Sequence, residues 1–325
     1  PSKSDKISLV MGYGRASYGD NKLLDGGLPR SELRSECAYT LSVKMILIEA
    51  GELFEEFRTD LVEKAEWHKE VNPKLETPAC RLAGAEEWLE GTDHIIETLQ
   101  DASEKVGALG RLEPGKGVNK NKAYYEPNFV MSALFLARAK PNRIRTFLLN
   151  KYDIDPEMDA GECERALQAK AREILGRWEA ALAGGRPFLC GDRPGLMDCR
   201  LVTKLYLAYQ LVGSGLANLG SASFDEVAPL TYAYLDRWTR REAWVKAYGL
   251  GRGVSNGQLD VVTLRTTCNK FSKMCPELNE GLIVPALRFA REHAGSDAPL
   301  YHMHNSPRPP SKSDKISLVM GYGRA

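Results

Sequence analysis

No apolar run in this chain approaches the ~20 residues that a bilayer-spanning helix needs. Charge of one sign is equally lacking: 44 Lys and Arg stand against 43 Asp and Glu, leaving a net +1. The first absence argues against stable membrane insertion. The second removes any electrostatic case for a nucleic acid or an anionic surface as partner. Metal-type spacing is missing too. The seven cysteines include no CxxC pair and no Cys/His cluster, and an odd number cannot close a complete disulfide framework. His302 and His304 make a lone HxH in a Pro-rich tail, which indicates no metal. The expectation is a protein of free thiols in a reducing intracellular compartment, cytoplasm or plastid. The sequence opens at Pro1 with no signal pattern, so no targeting segment is visible.

What is present is a chain of 325 residues, long enough for about two domains. Residues Pro1–Ala16 recur unchanged as Pro310–Ala325. The spacing is far beyond any solenoid period. One reading is a tandem array of whole units, with neighbouring units of the same polypeptide as partners. The other is an artefact of sequence assignment.

The stretch Glu36-Cys37-Ala38-Tyr39-Thr40 organises the rest. It runs straight into the apolar-periodic Leu41–Ala50, which reads as a buried helix ended by Gly51. A cysteine at a helix start meets unpaired N–H groups and the positive end of the helix dipole. A thiol so placed ionises below the ~8.5 of free cysteine and becomes a nucleophile. The polar loop Gly12–Ser35 approaches it, and Thr40 is placed to donate to the thiolate.

Around the cysteine, Lys6–Met11, Phe54–Leu61, Thr77–Leu82 and Glu86–Glu90 read as strands, with helices at Glu63–Val71 and Asp93–Ala102. Thr92 reads as the N-cap of the latter. This order makes an α/β layer. Beyond it the pattern is helical: Phe129–Ala139, Asn142–Asn150, Glu162–Ala183, Leu196–Val212 and Pro229–Tyr248. The expected division is an α/β domain at 1–106, a Gly/Lys/Asn-rich linker at 107–128 and an all-helical domain at 129–249. An extension or inter-unit linker follows at 250–309, with one helix-like piece, Val284–His293, and the repeated segment occupies 310–325.

Four blocks carry a family resemblance. ECAYTLSVKMIL, EKAEWHKEVNPKLETPA, GTDHIIETL and RPFLCGDRPGLMDCRLVTKLYL occur in this order. Together they resemble the cysteine-type branch of the glutathione S-transferase superfamily: dehydroascorbate reductases, with omega-class transferases and chloride-intracellular-channel proteins as relatives. The resemblance implies a thioredoxin-like α/β domain followed by an all-α domain. It implies Cys37 as the catalytic thiol, forming a mixed disulfide with glutathione, and dehydroascorbate as the oxidised substrate. Pro78 matches the family's cis-proline, exposing the backbone of Thr77 to the cysteinyl part of glutathione. Thr92 stands where a serine meets the γ-glutamyl carboxylate, with Asp93 or Glu90 left to supply the partner of the amino group. Lys64 is placed for the glycyl carboxylate. Glu36, with Thr40, is placed for the second substrate. Asp198 would brace the central helix of the second domain as half of a capping box, Gly195 replacing the usual Ser or Thr.

Three positions depart from the pattern. Ala38 replaces the proline after the cysteine, Leu75-Glu76 replaces Gly-Lys, and Gly91 replaces an acidic residue. They motivate the alternative, a non-catalytic transferase-fold module used for structure or interaction.

Overall fold

The computed structural model describes residues 6–15, 34–61, 64–110, 123–248, 254 and 257–293. The repeated segment at 310–325, His302 and His304, most of the loop before the cysteine and the middle of the expected linker lie outside these residues.

The α/β part is built on β1 (Ile7–Arg15). Its apolar run lies in the interior of the sheet, and alternation sorts its side chains between two cores. Ile7, Leu9 and Met11 join the main core with the helix that follows the cysteine. Val10 turns to the opposite face and packs with Phe57, Ala65, Trp67, Val71 and Ala79. β2 (Arg34–Glu36) pairs antiparallel with the far end of β1, Tyr13 opposite Glu36. β3 (Phe54–Asp60) runs parallel to β1 from Ile7 opposite Phe54 to Tyr13 opposite Asp60. β4 (Ala79–Arg81) lies antiparallel on the other side, with Leu9 opposite Cys80. β5 (Leu89–Glu90) pairs with β4. The sheet order is therefore β3-β1-β4-β5, with β2 prolonging the ladder beside β1.

Helix α1 (Ala38–Ala50) connects β2 to β3. Leu41, Val43, Met45, Ile46 and Leu47 are fully buried; at ~1.5–3 kcal/mol for each large side chain, they fix the helix on the sheet. Gly51 takes φ +66° and returns its N–H to the Ile48 and Leu47 carbonyls, a left-handed cap that suits glycine. The expected helix before Asn72 is confined to α2 (His68–Val71). α3 (Thr92–Ala102) and the single turn α4 (Glu104–Gly107) complete this layer. The N-cap of α3 is Gly91, at φ +79°, and no side chain caps the helix. The expectation of Thr92 as cap is thus corrected by one residue: a positive φ at the cap position is open to glycine and strained for threonine.

The second part is all helical. A short 3-10 turn, Ala123–Tyr125, leads into α5 (Glu126–Leu136) and α6 (Arg143–Asn150). α7 (Ala160–Leu182) and α8 (Leu196–Gly213) are the long pair. α9 (Phe224–Val227) precedes α10 (Pro229–Thr239) and α11 (Glu242–Tyr248). α12 (Val261–Met274) follows, and a π turn, Asn279–Ile283, runs into α13 (Val284–Glu292). Together the two parts give a thioredoxin-like α/β layer followed by a helical domain, the glutathione-transferase-like arrangement. α1 packs on α8, and Leu41 and Leu205 belong to one continuous core that crosses the seam.

The start of α8 is held by Asp198. Its carboxylate accepts from Gly195 N (2.9 Å), Leu189 N (2.8 Å), Cys190 N (3.2 Å) and Tyr234 Oη (3.0 Å). Gly195 is explained by space: a Cβ there would stand 2.3 Å from Cys190 Sγ and 2.7 Å from the Leu109 carbonyl oxygen. A serine or threonine cap does not fit, and Asp198 performs the bracing from the other side.

α12 is an element that hydropathy did not single out. Leu264, Cys268, Phe271 and Cys275 are its buried stripe, interrupted in sequence by Thr, Asn, Lys and Ser. Asp260 caps it, accepting from Val262 N (3.1 Å), Thr263 N (3.1 Å) and Thr263 Oγ1 (2.7 Å). The helix rests on β2 and α8, beside the start of α1. Among the described residues no helix is long and apolar enough to cross a membrane.

Candidate functional site

Cys37 is the N-cap residue of α1, extended at φ −63° and ψ 127°, with its carbonyl accepting from Leu41 N (2.9 Å). Its side chain makes no capping bond. All seven cysteines are free thiols, and five are buried. Burial pushes up six thiols: Cys80 and Cys190 to about 12, Cys163 and Cys275 less, Cys199 and Cys268 strongly. Cys190 is half-exposed, but burial and then the Asp198 carboxylate still oppose its ionisation. Cys37 is half-exposed at the start of α1.

The helical domain closes on the first turn of α1. The ring of Tyr39 packs on Tyr125 at 5.4 Å between centroids, and Tyr125 on Tyr124 at 4.3 Å. Burial, then the charges of Cys37 and Asp93, raise the Tyr39 phenol. Tyr125 is pushed up to about 12, mainly by burial, so both phenols act as neutral hydroxyls at neutral pH. Lys204, from the middle of α8, is fully enclosed at the same place. Its Nζ donates to the Ala38 carbonyl (3.1 Å), Ser42 Oγ (2.6 Å) and Thr203 Oγ1 (3.1 Å). It also lies 5.2 Å from the Tyr39 ring and 5.4 Å from the Tyr125 ring.

Asp93, in the first turn of α3, is the bridge to this cluster. Its Oδ1 accepts from Tyr124 Oη (2.6 Å), Tyr125 Oη (3.2 Å) and the Arg200 guanidinium, which also stacks over the Tyr124 ring. All these bonds fall on Oδ1; Oδ2 stays outside them. Thr92, half-buried, is the first residue of the same helix.

The loop before β4 is held from within. The Thr77–Pro78 peptide is cis. Ahead of it, the Glu76 carbonyl accepts from Asn72 Nδ2 (3.0 Å) and from His68 Nε2 (3.1 Å). Because Nε2 must donate there, Nδ1 is the acceptor side, facing the Thr59 hydroxyl at 3.5 Å. Burial holds His68 below the usual histidine range, consistent with the neutral ring this arrangement needs. Lys64 Nζ donates to the Leu75 carbonyl (2.5 Å). Its ammonium is therefore engaged on the very loop that presents Thr77.

Of the residues singled out in the sequence, Cys37 and Asp93 meet the same interdomain cluster through Tyr39 and Tyr125. Thr77 and Pro78 stand just before the β4 ladder, and Lys64 braces that loop. Thr40 is fully buried one turn after Cys37. Glu36 ends β2 opposite Tyr13; its side chain lies outside what the structure describes. Sequence reasoning missed Lys204, Arg200, Tyr124 and Tyr125. The signal available was a lysine amid the apolar α8 pattern, at a position whose neighbours are buried.

Comparison with known proteins agrees with the helical half. Residues 156–241 match the family model "Glutathione S-transferase, C-terminal domain". No curated protein sequence matches the chain. Among solved structures, rice glutathione transferase GST1 (OsGSTU1) in complex with glutathione is 20% identical, with 81% of this chain and 98% of that one covered and a TM-score of 0.45. The dehydroascorbate reductase of Chlamydomonas reinhardtii is 15% identical over 74% of this chain and 92% of its own, with a TM-score of 0.45. The tau-class glutathione S-transferase of mango, Mangifera indica, is 12% identical over 83% and 98%, with a TM-score of 0.49.

Proposed function

We propose that the chain is a glutathione-dependent thiol oxidoreductase or transferase, with dehydroascorbate as its oxidised substrate and Cys37 as the working thiol. One observation carries the reading: Cys37 stands half-exposed at the start of a helix, beside a seam lined with tyrosine and lysine, while five of the other six cysteines are buried. The Cys37 sulfur adds to the oxidised substrate. A first glutathione thiolate attacks that sulfur, forming the mixed disulfide as the electron pair of the broken bond leaves with ascorbate. A second glutathione attacks the mixed disulfide, releasing oxidised glutathione and restoring the Cys37 thiolate. Position 40 is threonine, so no resolving cysteine lies one turn on and the chemistry is monothiol.

Glutathione would lie along the Thr77 backbone beside Pro78, its γ-glutamyl carboxylate at Thr92 and the α3 N-terminus. Asp93 Oδ2, outside the interdomain bonds, suits the γ-glutamyl amino group in place of the acidic residue that Gly91 lacks. Lys64 would shape the loop through the Leu75 carbonyl and turn its remaining N–H donors to the glycyl carboxylate. Glu36 borders the second-substrate side, while the buried Thr40 acts from beneath the thiol.

A second reading, a non-catalytic transferase-fold module, is motivated by Leu75-Glu76 and Gly91 in place of the family's Gly-Lys and acidic residue. The deciding experiment is glutathione-coupled dehydroascorbate reduction by the full chain and by Cys37→Ser, with glutathione binding measured by calorimetry. Turnover that disappears in the variant supports the thiol mechanism. No turnover and no glutathione binding in the unmodified chain leaves the module reading.

A further inference from the structure

The geometry points to Lys204 as the positioning residue that holds the Cys37 turn and supplies the counter-charge for its thiolate from across the domain seam. The inference rests on Cys37 being the working thiol and extends that reading to a residue of the helical domain.

Three observations support it. First, Lys204 Nζ is bonded to the carbonyl of Ala38, the residue directly after the cysteine, and to Ser42 one turn on. Ala38 stands where relatives of the resembled family carry a rigid proline; here the first turn is tied down from α8 instead. Second, all three hydrogen-bond acceptors of Nζ are neutral oxygens, and among the described residues no carboxylate lies within ion-pair distance of it. A buried ammonium without a carboxylate is open to pairing with a nearby thiolate. Third, burial drives Lys204 down to about 7, and the Cys37 charge is the largest influence drawing it back up. That attraction is mutual: an ammonium favoured by the thiolate favours the thiolate equally.

The surroundings are defined. From α1, Lys204 faces Cys37 and the Tyr39 ring; from α3, Asp93; from the 3-10 turn, Tyr125; from its own helix, Arg200, whose like charge opposes it. Of the other helices packed on α8, α5 brings Glu126, paired with Arg177; α9 brings Asp225 and Glu226; α10 brings Asp236, paired with Arg240, and Arg237; and α12 brings Asp260, which accepts from Tyr206, together with the buried Arg265. Asp93 has its Oδ1 occupied by Arg200 and the two tyrosines. The Cys37 thiolate is the stronger of the two attractions on Lys204, ahead of Asp93.

The test is the rate of Cys37 alkylation by iodoacetamide against pH, read by peptide mass, in the unmodified chain and in Lys204→Met. The expected result is a midpoint about one pH unit higher in the variant, hence roughly tenfold slower alkylation near pH 7. Superimposable profiles, with the six other cysteines still protected, overturn the inference. Should Lys204→Met expose those cysteines, the reciprocal measurement decides: the 13Cε titration of Lys204 by NMR in the unmodified chain and in Cys37→Ser. A lower lysine midpoint in Cys37→Ser upholds the coupling, and an unchanged one overturns it. Neither experiment contains glutathione, so a failed reductase assay and a failed coupling are separate outcomes.

Discussion

The two sides of α1 each bury a lysine, and the protein treats them differently. On the sheet side, Lys44 is enclosed but meets Glu56 at 2.9 Å, and Arg58 reaches the other oxygen of the same carboxylate at 3.0 Å. Burial alone would raise Glu56, but Lys44 and then Arg58 outweigh it and hold the carboxyl below its usual range. On the helical side, Lys204 has only neutral acceptors, and burial brings it to about 7. A charge matched by a carboxylate serves the fold. One left unmatched beside a thiol changes state where the chemistry operates.

Asp198 sharpens the contrast, because it is a buried charge on the same helix as Lys204 and is held by four donors. Asp198→Ala would leave the Leu189, Cys190 and Gly195 N–H groups and the Tyr234 hydroxyl without their acceptor. The expected cost is ~4 kcal/mol, read as a fall in the urea midpoint with unchanged slope. A loss below ~1 kcal/mol would mean that the turn at 189–195 relaxes toward water.

How much of this was legible in the sequence follows the same division. Cys37 stood out because a local pattern, a cysteine opening an apolar helix, carries its own chemistry. Most strands and helices were visible from periodicity, and Asp198 from its spacing to Gly195; β2 and the end of β1 fall in the stretch read as the loop Gly12–Ser35. Lys204 was not, although it lies in a quoted block. Its meaning depends on Ala38 and Ser42, more than 160 positions away, and nothing in the local pattern of α8 says which residues face the seam. Arg200, Tyr124 and Tyr125 were hidden for the same reason. α12 was hidden because its buried face includes Arg265, Asn269 and Ser272, which lower the apolar contrast that marks a helix. Thr92 was misplaced by one residue because a glycine with positive φ takes the cap without any side-chain signal.

The next largest effect is on the sheet side. Glu56→Gln leaves the Lys44 ammonium buried with a neutral partner and is expected to cost ~2 kcal/mol, less than a fully buried pair because Glu56 keeps contact with solvent. The pH dependence has a definite sign. Glu56 is depressed in the folded chain, so its contribution is present above the unfolded value of ~4.3 and is lost as pH falls through the folded one. Glu56→Gln should remove that acid-side slope, measured as the difference in unfolding free energy between the two proteins from pH 6 to 3.

The smallest effect at neutral pH belongs to Lys204→Met. The substitution leaves no orphaned acceptor: Ser42 Oγ still donates to the Ala38 carbonyl (3.1 Å) and keeps Thr203 Oγ1 at 3.0 Å. Replacing a buried amine that has no carboxylate partner by an apolar chain of similar shape is expected to shift stability by only ~1 kcal/mol at neutral pH. Its pH dependence runs opposite in origin to that of Glu56. Between the folded value of about 7 and the unfolded ~10.4, the unfolded chain holds the proton that the folded chain has released. Stability therefore rises with pH across that window in the unmodified protein and falls as pH drops toward 7. The advantage of Lys204→Met should grow from pH 10 down to 7 and level off below. A difference that stays flat over this range would mean that Lys204 keeps its proton throughout, and the contrast between the two sides of α1 would be lost.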